Sequence, residues 1–144
     1  MKMKRIVLAL LPLLALATTA CKSHERRADW PTAERTRWQL ELLLGKQPIE
    51  GTKITLVFRS DGRLSGHGGV NTYFGSYRLG DQVGDIETRR ITSMQQNWTD
   101  WEGVQAQEDL YFAQLELVDG YSLGTHDLEL FVGDILVARF VAVL

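Results

Sequence analysis

Three residues near the middle of this chain have the chemical types of a nucleophile, a base and a supporting acid: Ser65, His67 and Asp61. A hydrolytic triad needs these side chains to be oriented toward one another. Neighbouring positions on one short hairpin would not orient them in that way. The other two histidines are His24 and His126, and no histidine spacing in the chain suggests a metal site.

The acidic residues give as little indication of catalysis. Glu108 and Asp109 are adjacent, and we interpret them as exposed helix positions, or as part of a first helical turn where negative charge is favourable. Asp61-Gly62 lacks the ligand series of a calcium loop. We therefore expect a protein that is not an enzyme and holds neither a metal nor a cofactor.

Cys21 is the single cysteine, and its position predicts that it is a site of lipid attachment. It follows the small residues 18–20, an apolar stretch over 6–17 and a basic start, which together predict a cleaved signal peptide over 1–20. The apolar stretch is too short to cross a bilayer. We expect lipoprotein processing, in which a diacylglycerol thioether forms on the Cys21 sulfur and the new amino group is acylated. Several acyl chains would anchor the protein firmly, because one chain alone holds only weakly.

The residue after the cysteine predicts in which membrane the protein is anchored. Lys22 stands where an aspartate would often signal retention in the inner membrane, so we expect the periplasmic face of the outer membrane. The alternative is an unmodified Cys21 after an ordinary signal-peptidase site. If Cys21 carries lipid, no thiol is left for a disulfide or a thiolate metal site.

The charge balance argues against nucleic acid as a partner. The whole chain has 16 basic and 18 acidic residues, and the leader carries three of the basic ones, so the mature chain would have a formal charge of −5. Phosphate binding by nucleic-acid proteins needs a concentrated basic surface. The adjacent basic pairs, Arg26-Arg27 and Arg89-Arg90, are interpreted as solvated positions.

Residues 21–36 are predicted to be a polar tether. They are charged and poor in aliphatic side chains, and Pro31 prevents a continuous helix through them. Trp30 is the exception, and it either packs against the domain or lies in the lipid interface. Residues 37–144 are enough for one domain with its own core.

Alternation of apolar and polar residues dominates the chain after the tether, as in half-buried strands. Glu102 to Leu117 instead predicts a helix. Its two apolar stripes consist of Val104, Glu108, Tyr111 and Leu115 on one side and of Ala106, Leu110, Ala113 and Leu117 on nearly the opposite side. Such a helix is covered on two faces or ends early. The sequence therefore predicts an α+β fold, a small curled antiparallel sheet or open barrel with one helix.

A series of residues at characteristic spacing resembles a known family. The series comprises Trp38-Gln39-Leu40, Phe58, Gly62, the run G-x-x-G-x-N-x-Y-x-G-x-Y from Gly66 to Tyr77, Thr92-Ser93-Met94, Glu108, Phe112, Leu115 and Leu128-Glu129-Leu130. It resembles the META domain, the family of the heat-shock protein HslJ, over about 37–140. The resemblance implies a lipoprotein associated with stress tolerance of the envelope, without established catalytic chemistry. Cysteines frequent in the family are replaced by Val70 and by Gln95 or Gln96, so no redox role is carried over.

Six residues of that run are predicted to be structural: Gly66, Gly69, Asn71, Tyr73, Gly75 and Tyr77. The glycines permit bulges and sharp strand bends, and Asn71 can hold a turn through hydrogen bonds to the backbone. The tyrosines would share one strand face, with their rings in the core. The alternative is a phosphate cradle, but a nucleotide-binding glycine loop opens a helix, whereas this one leads into a strand.

Trp98 and Trp101 lie in a polar connection where no alternation would bury them. Because tryptophan is enriched at recognition hot spots and membrane interfaces, both are candidate partner contacts. The alternative is that both fold back to close the end of the barrel.

Together these features predict a monomeric, lipid-anchored and non-enzymatic envelope domain that supports stress tolerance by binding an envelope protein or lipid. Two alternatives stay open. A chaperone or pilot for an outer-membrane secretion assembly would need an apolar groove, and an inhibitor of a lytic enzyme would need a protruding loop with a presented side chain.

Overall fold

The computed structural model describes residues 30–94 and 101–144. Eight strands in these residues form one antiparallel sheet: β1 (Arg37–Leu43), β2 (Thr55–Phe58), β3 (Arg63–His67), β4 (Thr72–Leu79), β5 (Ile86–Ser93), β6 (Gly120–Leu123), β7 (Asp127–Val132) and β8 (Ile135–Val143). Two helices accompany them, α1 (Trp30–Arg35) and α2 (Val104–Leu117). The predicted α+β class is confirmed, with a second, short helix in addition.

The order of the strands follows from the hairpins of the sequence. It is β5-β4-β3-β2-β1-β8-β7-β6, so the chain runs outward from β1 to one edge and returns through α2 to the other. β8 pairs on both sides, as a strand that is apolar on both faces should. Asp85, just before β5, forms an isolated bridge with Gly120 of β6, and no ladder within the described residues joins these two edge strands, so the sheet is curled and open.

The inward faces of the strands and helices bury one core. Its largest fully buried apolar side chains are Trp38, Tyr73, Tyr111, Phe58, Phe140, Ile54, Leu56, Leu64, Leu115, Leu128 and Leu130. α2 buries the stripe that contains Val104, Glu108, Tyr111 and Leu115. On the opposite stripe, Leu110 and Leu117 are exposed. The helix is therefore covered on one face, not on two.

The edge of β5 that pairs with no other described strand is covered by α2, which forms hydrogen bonds to the β5 backbone. The Glu116 carboxylate accepts the N–H groups of Arg90 (3.1 Å) and Ile91 (2.8 Å), and the Thr88 hydroxyl donates to the carbonyl of Leu115. Arg90 has a positive φ of 57° at a register shift in the β4–β5 pairing. A bulged and covered edge does not present a free ladder to another chain.

The segment that was expected to be a tether is in part a packed helix. Trp30 is 4% exposed, and its ring lies 5.0 Å from that of Phe58 and 4.8 Å from that of Tyr121 between centroids. Pro31 is compatible with this helix because the N–H groups of the first helical turn have no acceptor within the helix, so none is lost with proline. Trp30 therefore packs against the domain, which was one of the two predicted placements of its side chain. Residues 21–29 lie outside the described residues.

No helix in the described parts of the chain is both long enough and apolar enough to span a membrane.

We expect Trp30→Ala to lower the free energy of unfolding by about 3–5 kcal/mol, as for other large aromatic side chains removed from a core. Arg35→Ala is the matched control, because Arg35 lies exposed on the same helix. Urea unfolding followed by circular dichroism measures both. Equal stability of Trp30→Ala and the wild type would mean that this segment is a tether after all.

Candidate functional site

The glycine-rich turn between β3 and β4 encloses a carboxylate from α2. Glu108 is 1% exposed, and its Oε2 accepts the backbone N–H groups of Val70 (2.7 Å) and Asn71 (2.6 Å). The Asn71 side-chain amide donates to Oε1 at 2.9 Å. Three donors from two consecutive residues thus converge on one buried carboxylate, which satisfies the charge that burial would otherwise penalise.

The turn can approach the helix this closely because it lacks side chains there. A Cβ on Gly68 would lie 2.5 Å from Cζ of Phe112 and 2.7 Å from Oε2 of Glu108. A Cβ on Gly66 would lie 1.9 Å from the carbonyl oxygen of Thr55, so a side chain there would displace the backbone, whereas a side chain at Gly68 would displace Phe112 and the Glu108 carboxylate. Gly69 has a φ of 110°, which favours glycine.

Consecutive N–H groups of this kind form an anion-binding concavity. The anion held here is the protein's own Glu108, so the turn acts as a clamp on α2, and the phosphate-cradle alternative loses the donors it would need. The prediction that Glu108 is an exposed helix position is wrong. Its place on the stripe with Val104, Tyr111 and Leu115 was the signal that pointed to burial.

Two motif tyrosines extend this polar arrangement into the core. The Tyr73 hydroxyl lies 2.7 Å from both the carbonyl oxygen of Thr55 and the hydroxyl of Tyr111. Burial is the main reason why the pKa of Tyr73 and the pKa of Tyr111 are raised well above the ordinary value.

Tyr77 occupies the same inward face of β4, four residues further along. Its hydroxyl accepts the Trp30 indole N–H at 3.3 Å and lies 2.8 Å from both the Glu34 carboxylate and the carbonyl oxygen of Arg59. Burial raises the pKa of Tyr77 to about 12, the indole N–H opposes that rise, and Glu34 adds to it. Gly75 lies between the two tyrosines, where a Cβ would meet Ile91 at 2.5 Å.

Trp101 is placed at the rim of this site. Its side chain is 52% exposed and covers the turn at Gly51, where a Cβ would lie 2.9 Å from Cη2 of the indole. Of the two candidate partner contacts, Trp101 is therefore presented at the surface, whereas Trp98 lies outside the described residues. The lipidation candidate Cys21 also lies outside them.

The residues that resembled a hydrolytic triad serve the local backbone instead. His67 Nδ1 accepts the N–H of Gly69 at 3.1 Å, and Asp61 forms ion pairs with Arg59 and Arg63. Ser65 points to the outer face of the sheet, opposite Phe74. Within 30–94 and 101–144, no three His, Cys, Asp or Glu side chains are grouped so that they could hold a metal ion.

The sequence of residues 31–141 matches the model of the META domain. This chain belongs to the META domain family. The match starts within α1, in agreement with the packing of that helix into the domain. The glycine-rich turn, Asn71 and the two β4 tyrosines are thus parts of this META domain.

Two solved structures have the same fold. A protein from Burkholderia xenovorans, solved by NMR, has a TM-score of 0.60 and 24% identity, with 81% of this chain and 87% of that chain covered. A second NMR structure has a TM-score of 0.60 and 14% identity, with 77% of this chain and 92% of that chain covered. Among proteins of curated function, none matches this chain.

Glu108→Gln should lower the free energy of unfolding by about 1–3 kcal/mol, because an amide has one oxygen where the carboxylate offers two acceptors. Asp109→Asn is the control, since Asp109 is exposed on the same helix and carries the same charge. Combined with Asn71→Ala, the double mutant should deviate from additivity by at least about 0.5 kcal/mol. An unchanged urea midpoint for Glu108→Gln would contradict the clamp.

The raised tyrosine pKa values predict a loss of stability in alkali. A folded-state pKa above the ordinary value gives a stabilisation that is fully present below the unfolded pKa, here 10.0. This stabilisation is lost as the pH rises through the folded-state pKa, which is about 12 for Tyr77 and well above 10.0 for Tyr73 and Tyr111. Urea midpoints measured against pH should therefore decline above pH 10.0. Tyr77→Phe should show a shallower decline up to about pH 12, and an identical decline would contradict the assignment.

Proposed function

We propose that this META domain is a lipid-anchored, non-enzymatic domain of the cell envelope that supports envelope stress tolerance by binding another envelope component. Its lipid is on Cys21, and its place is the periplasmic face of the outer membrane. The leader, the single cysteine and Lys22 support the anchor and the address.

The observation that carries a binding role is the presentation of Trp101. A half-exposed indole seated over a glycine turn has large contact area and little freedom to lose, and these are the properties of a recognition hot spot. Its ring lies beside the segment that receives the N-terminal end of α2, where Gln107 Oε1 accepts the N–H of Ile49 at 2.7 Å. A partner bound there would therefore touch a segment that is hydrogen-bonded to α2.

The proposal of a non-enzymatic role is supported by the hydrogen bonds that the polar groups of the motif make. The acceptors of Glu108 are taken by Val70 and Asn71, and the hydroxyls of Tyr73 and Tyr111 bond to each other in the core. None of these groups points at a solvent-filled space where a substrate would react.

Among the alternatives, the inhibitor of a lytic enzyme keeps a specific observation in its favour, because Trp101 is a presented side chain. A chaperone or pilot would need an apolar groove. A cavity of about 360 Å³ is lined by Thr32, Leu123, Gly124 and Thr125. Leu123 is the one large apolar side chain among these four residues, so the cavity suits neither an acyl chain nor an apolar tail.

If Trp101 anchors a partner, Trp101→Ala should weaken the complex about thirtyfold, corresponding to a hot spot of about 2 kcal/mol. Crosslinking in intact cells, followed by identification of the crosslinked species, compares wild type with Trp101→Ala. Leu117→Ala is the matched control, because Leu117 is 59% exposed on α2. A species that persists in Trp101→Ala, or that Leu117→Ala removes equally, would contradict this role.

Lipid anchoring predicts that the wild-type protein sediments with outer membranes and that Cys21→Ser changes both its fractionation and its electrophoretic mobility. Soluble wild-type protein whose mobility is the same in Cys21→Ser would refute the anchor. This outcome would leave the Trp101 experiment unaffected.

A further inference from the structure

The outer face of β3, β4 and β5 combines cationic and apolar side chains. Alternation places one set of residues outward on these strands: Arg63, Ser65 and His67 on β3, Thr72, Phe74, Ser76 and Arg78 on β4, and Glu87, Arg89 and Thr92 on β5, with Met94 following directly after β5. This set is called the outer β3–β5 face below. It carries three arginines and one acid, on a chain whose overall formal charge is negative.

Two of the three arginines flank the single acid of the face. Nη2 of Arg78 lies 3.0 Å from one Glu87 oxygen, and Nε of Arg89 lies 2.7 Å from the other. The hydrogen bond from Arg89 is the main cause that lowers the pKa of Glu87. One carboxylate cannot neutralise two guanidinium groups, so donors remain directed outward. Arg90 joins them in lining an open cavity of about 240 Å³.

The other carboxylates near this face lie off these outward positions. Asp61, in the turn before β3, pairs with Arg63 at 3.0 Å and also with Arg59 at 3.7 Å, so one acid is shared by two arginines there as well. Asp81 and Asp85 are in the turn beyond β4, and the Glu116 side chain is directed to the backbone of β5. The acidic end of the domain is the turn, and the strands themselves are cationic. The face therefore complements an anionic surface along β3, β4 and β5, and not at the turn that follows β4.

Exposed apolar side chains lie on the same face, toward the other end of the strands. Phe74 is 48% exposed and Met94 is 46% exposed. Both project from the end of the strands opposite to Arg78, about 13 Å along β4 at the usual rise per residue. Large exposed apolar residues beside basic ones are the combination with which peripheral proteins enter the boundary between headgroups and acyl chains.

The other half of the sheet has the opposite character. Outward on β1, β7 and β8, Arg139 is surrounded by three acids, with Glu41 at 3.4 Å, Asp127 at 3.7 Å and Glu129 at 4.0 Å. Arg37 is also outward on β1, so this half carries three acids and two arginines, and the domain has one cationic and one weakly acidic face. An anionic membrane would attract the first and repel the second.

We propose that the outer β3–β5 face docks on a bilayer surface that contains anionic phospholipids, with Arg63, Arg78 and Arg89 at the phosphates and with Phe74 and Met94 in the interfacial layer. Docking orients the domain so that its acidic half points away from the membrane. Lipid phosphate is the partner that accounts for both halves of the face, because a soluble polyanion would use the arginines but not Phe74 and Met94.

The position of α1 agrees with this orientation, in so far as the proposed lipid anchor is correct. Trp30 packs against Tyr77, which lies next to Arg78 on β4. The nine chain steps from Cys21 to Trp30 reach about 30 Å when fully extended. An anchor on Cys21 would therefore hold this edge of the sheet within reach of the bilayer.

Vesicle binding by the chain from Lys22 onward tests the proposal without the lipid, and this chain keeps every residue that the structure describes. Co-sedimentation is measured with phosphatidylcholine vesicles and with vesicles in which one lipid in three is phosphatidylglycerol. We expect binding to the anionic vesicles and its loss at high salt, because surface charges are screened.

Two matched pairs of variants locate the contact. Arg78→Gln should weaken partition about fivefold, the usual effect of one basic residue near an anionic surface, and Lys46→Gln, which removes the same charge elsewhere, should not. Phe74→Ser should weaken it further, whereas Ile135→Ser, which alters an exposed side chain at the β7–β8 hairpin, should not.

Each remaining outcome contradicts the proposal. Equal losses in Arg78→Gln and Lys46→Gln would mean attraction by net charge alone, and equal binding to neutral vesicles would mean that phosphate is not recognised. Retention on heparin that depends on Arg78, without vesicle binding, would identify a soluble polyanion as the partner. The vesicle experiment does not need a lipid on Cys21. Its result therefore tests the docking of the outer β3–β5 face independently of the proposed lipid anchor.

Discussion

The buried carboxylate of Glu108 is the interaction on which the arrangement of this domain depends. A charged group in an apolar core is tolerated only when donors surround it, and the donors here are backbone N–H groups of the β3–β4 turn. This requirement determines the sequence around it. The turn must lack side chains at Gly68, and Asn71 must supply the third donor.

A second carboxylate of α2 uses the same chemistry at the sheet edge. Glu116 accepts two consecutive N–H groups of β5, eight residues along the helix from Glu108. α2 is thereby bonded to the sheet through its side chains at two places, in addition to packing. This explains how the sheet can stay open between β5 and β6 and still have a covered edge. Glu108, Tyr73 and Tyr111 are thus satisfied within the domain, and the contacts proposed for partners lie at its surface, at Trp101 and on the outer β3–β5 face.

Much of the fold could be predicted because strand alternation and helical stripes are local patterns. The α+β class, the span of α2 and the family were predictable on that ground. The role of Glu108 was not, because its partner Asn71 lies 37 residues away, and a glutamate on a helix is ordinarily solvated. The apolar stripe that includes Leu110 and Leu117 predicted a second buried face of the helix, but both of these residues are exposed. α1 was missed because Trp30 and Ala33 are buried by distant strands, and the segment itself is polar.

Hydrogen exchange of the Val70 and Asn71 amide protons is the most direct measurement of the clamp. If Glu108 holds the turn, these two amides exchange only when the whole domain unfolds, with the protection of core strands such as β1, and Glu108→Gln lowers their protection selectively. If they exchange as quickly as the amide of Asp134 in the exposed β7–β8 hairpin turn, the carboxylate does not hold the turn, and the account given for this domain is wrong.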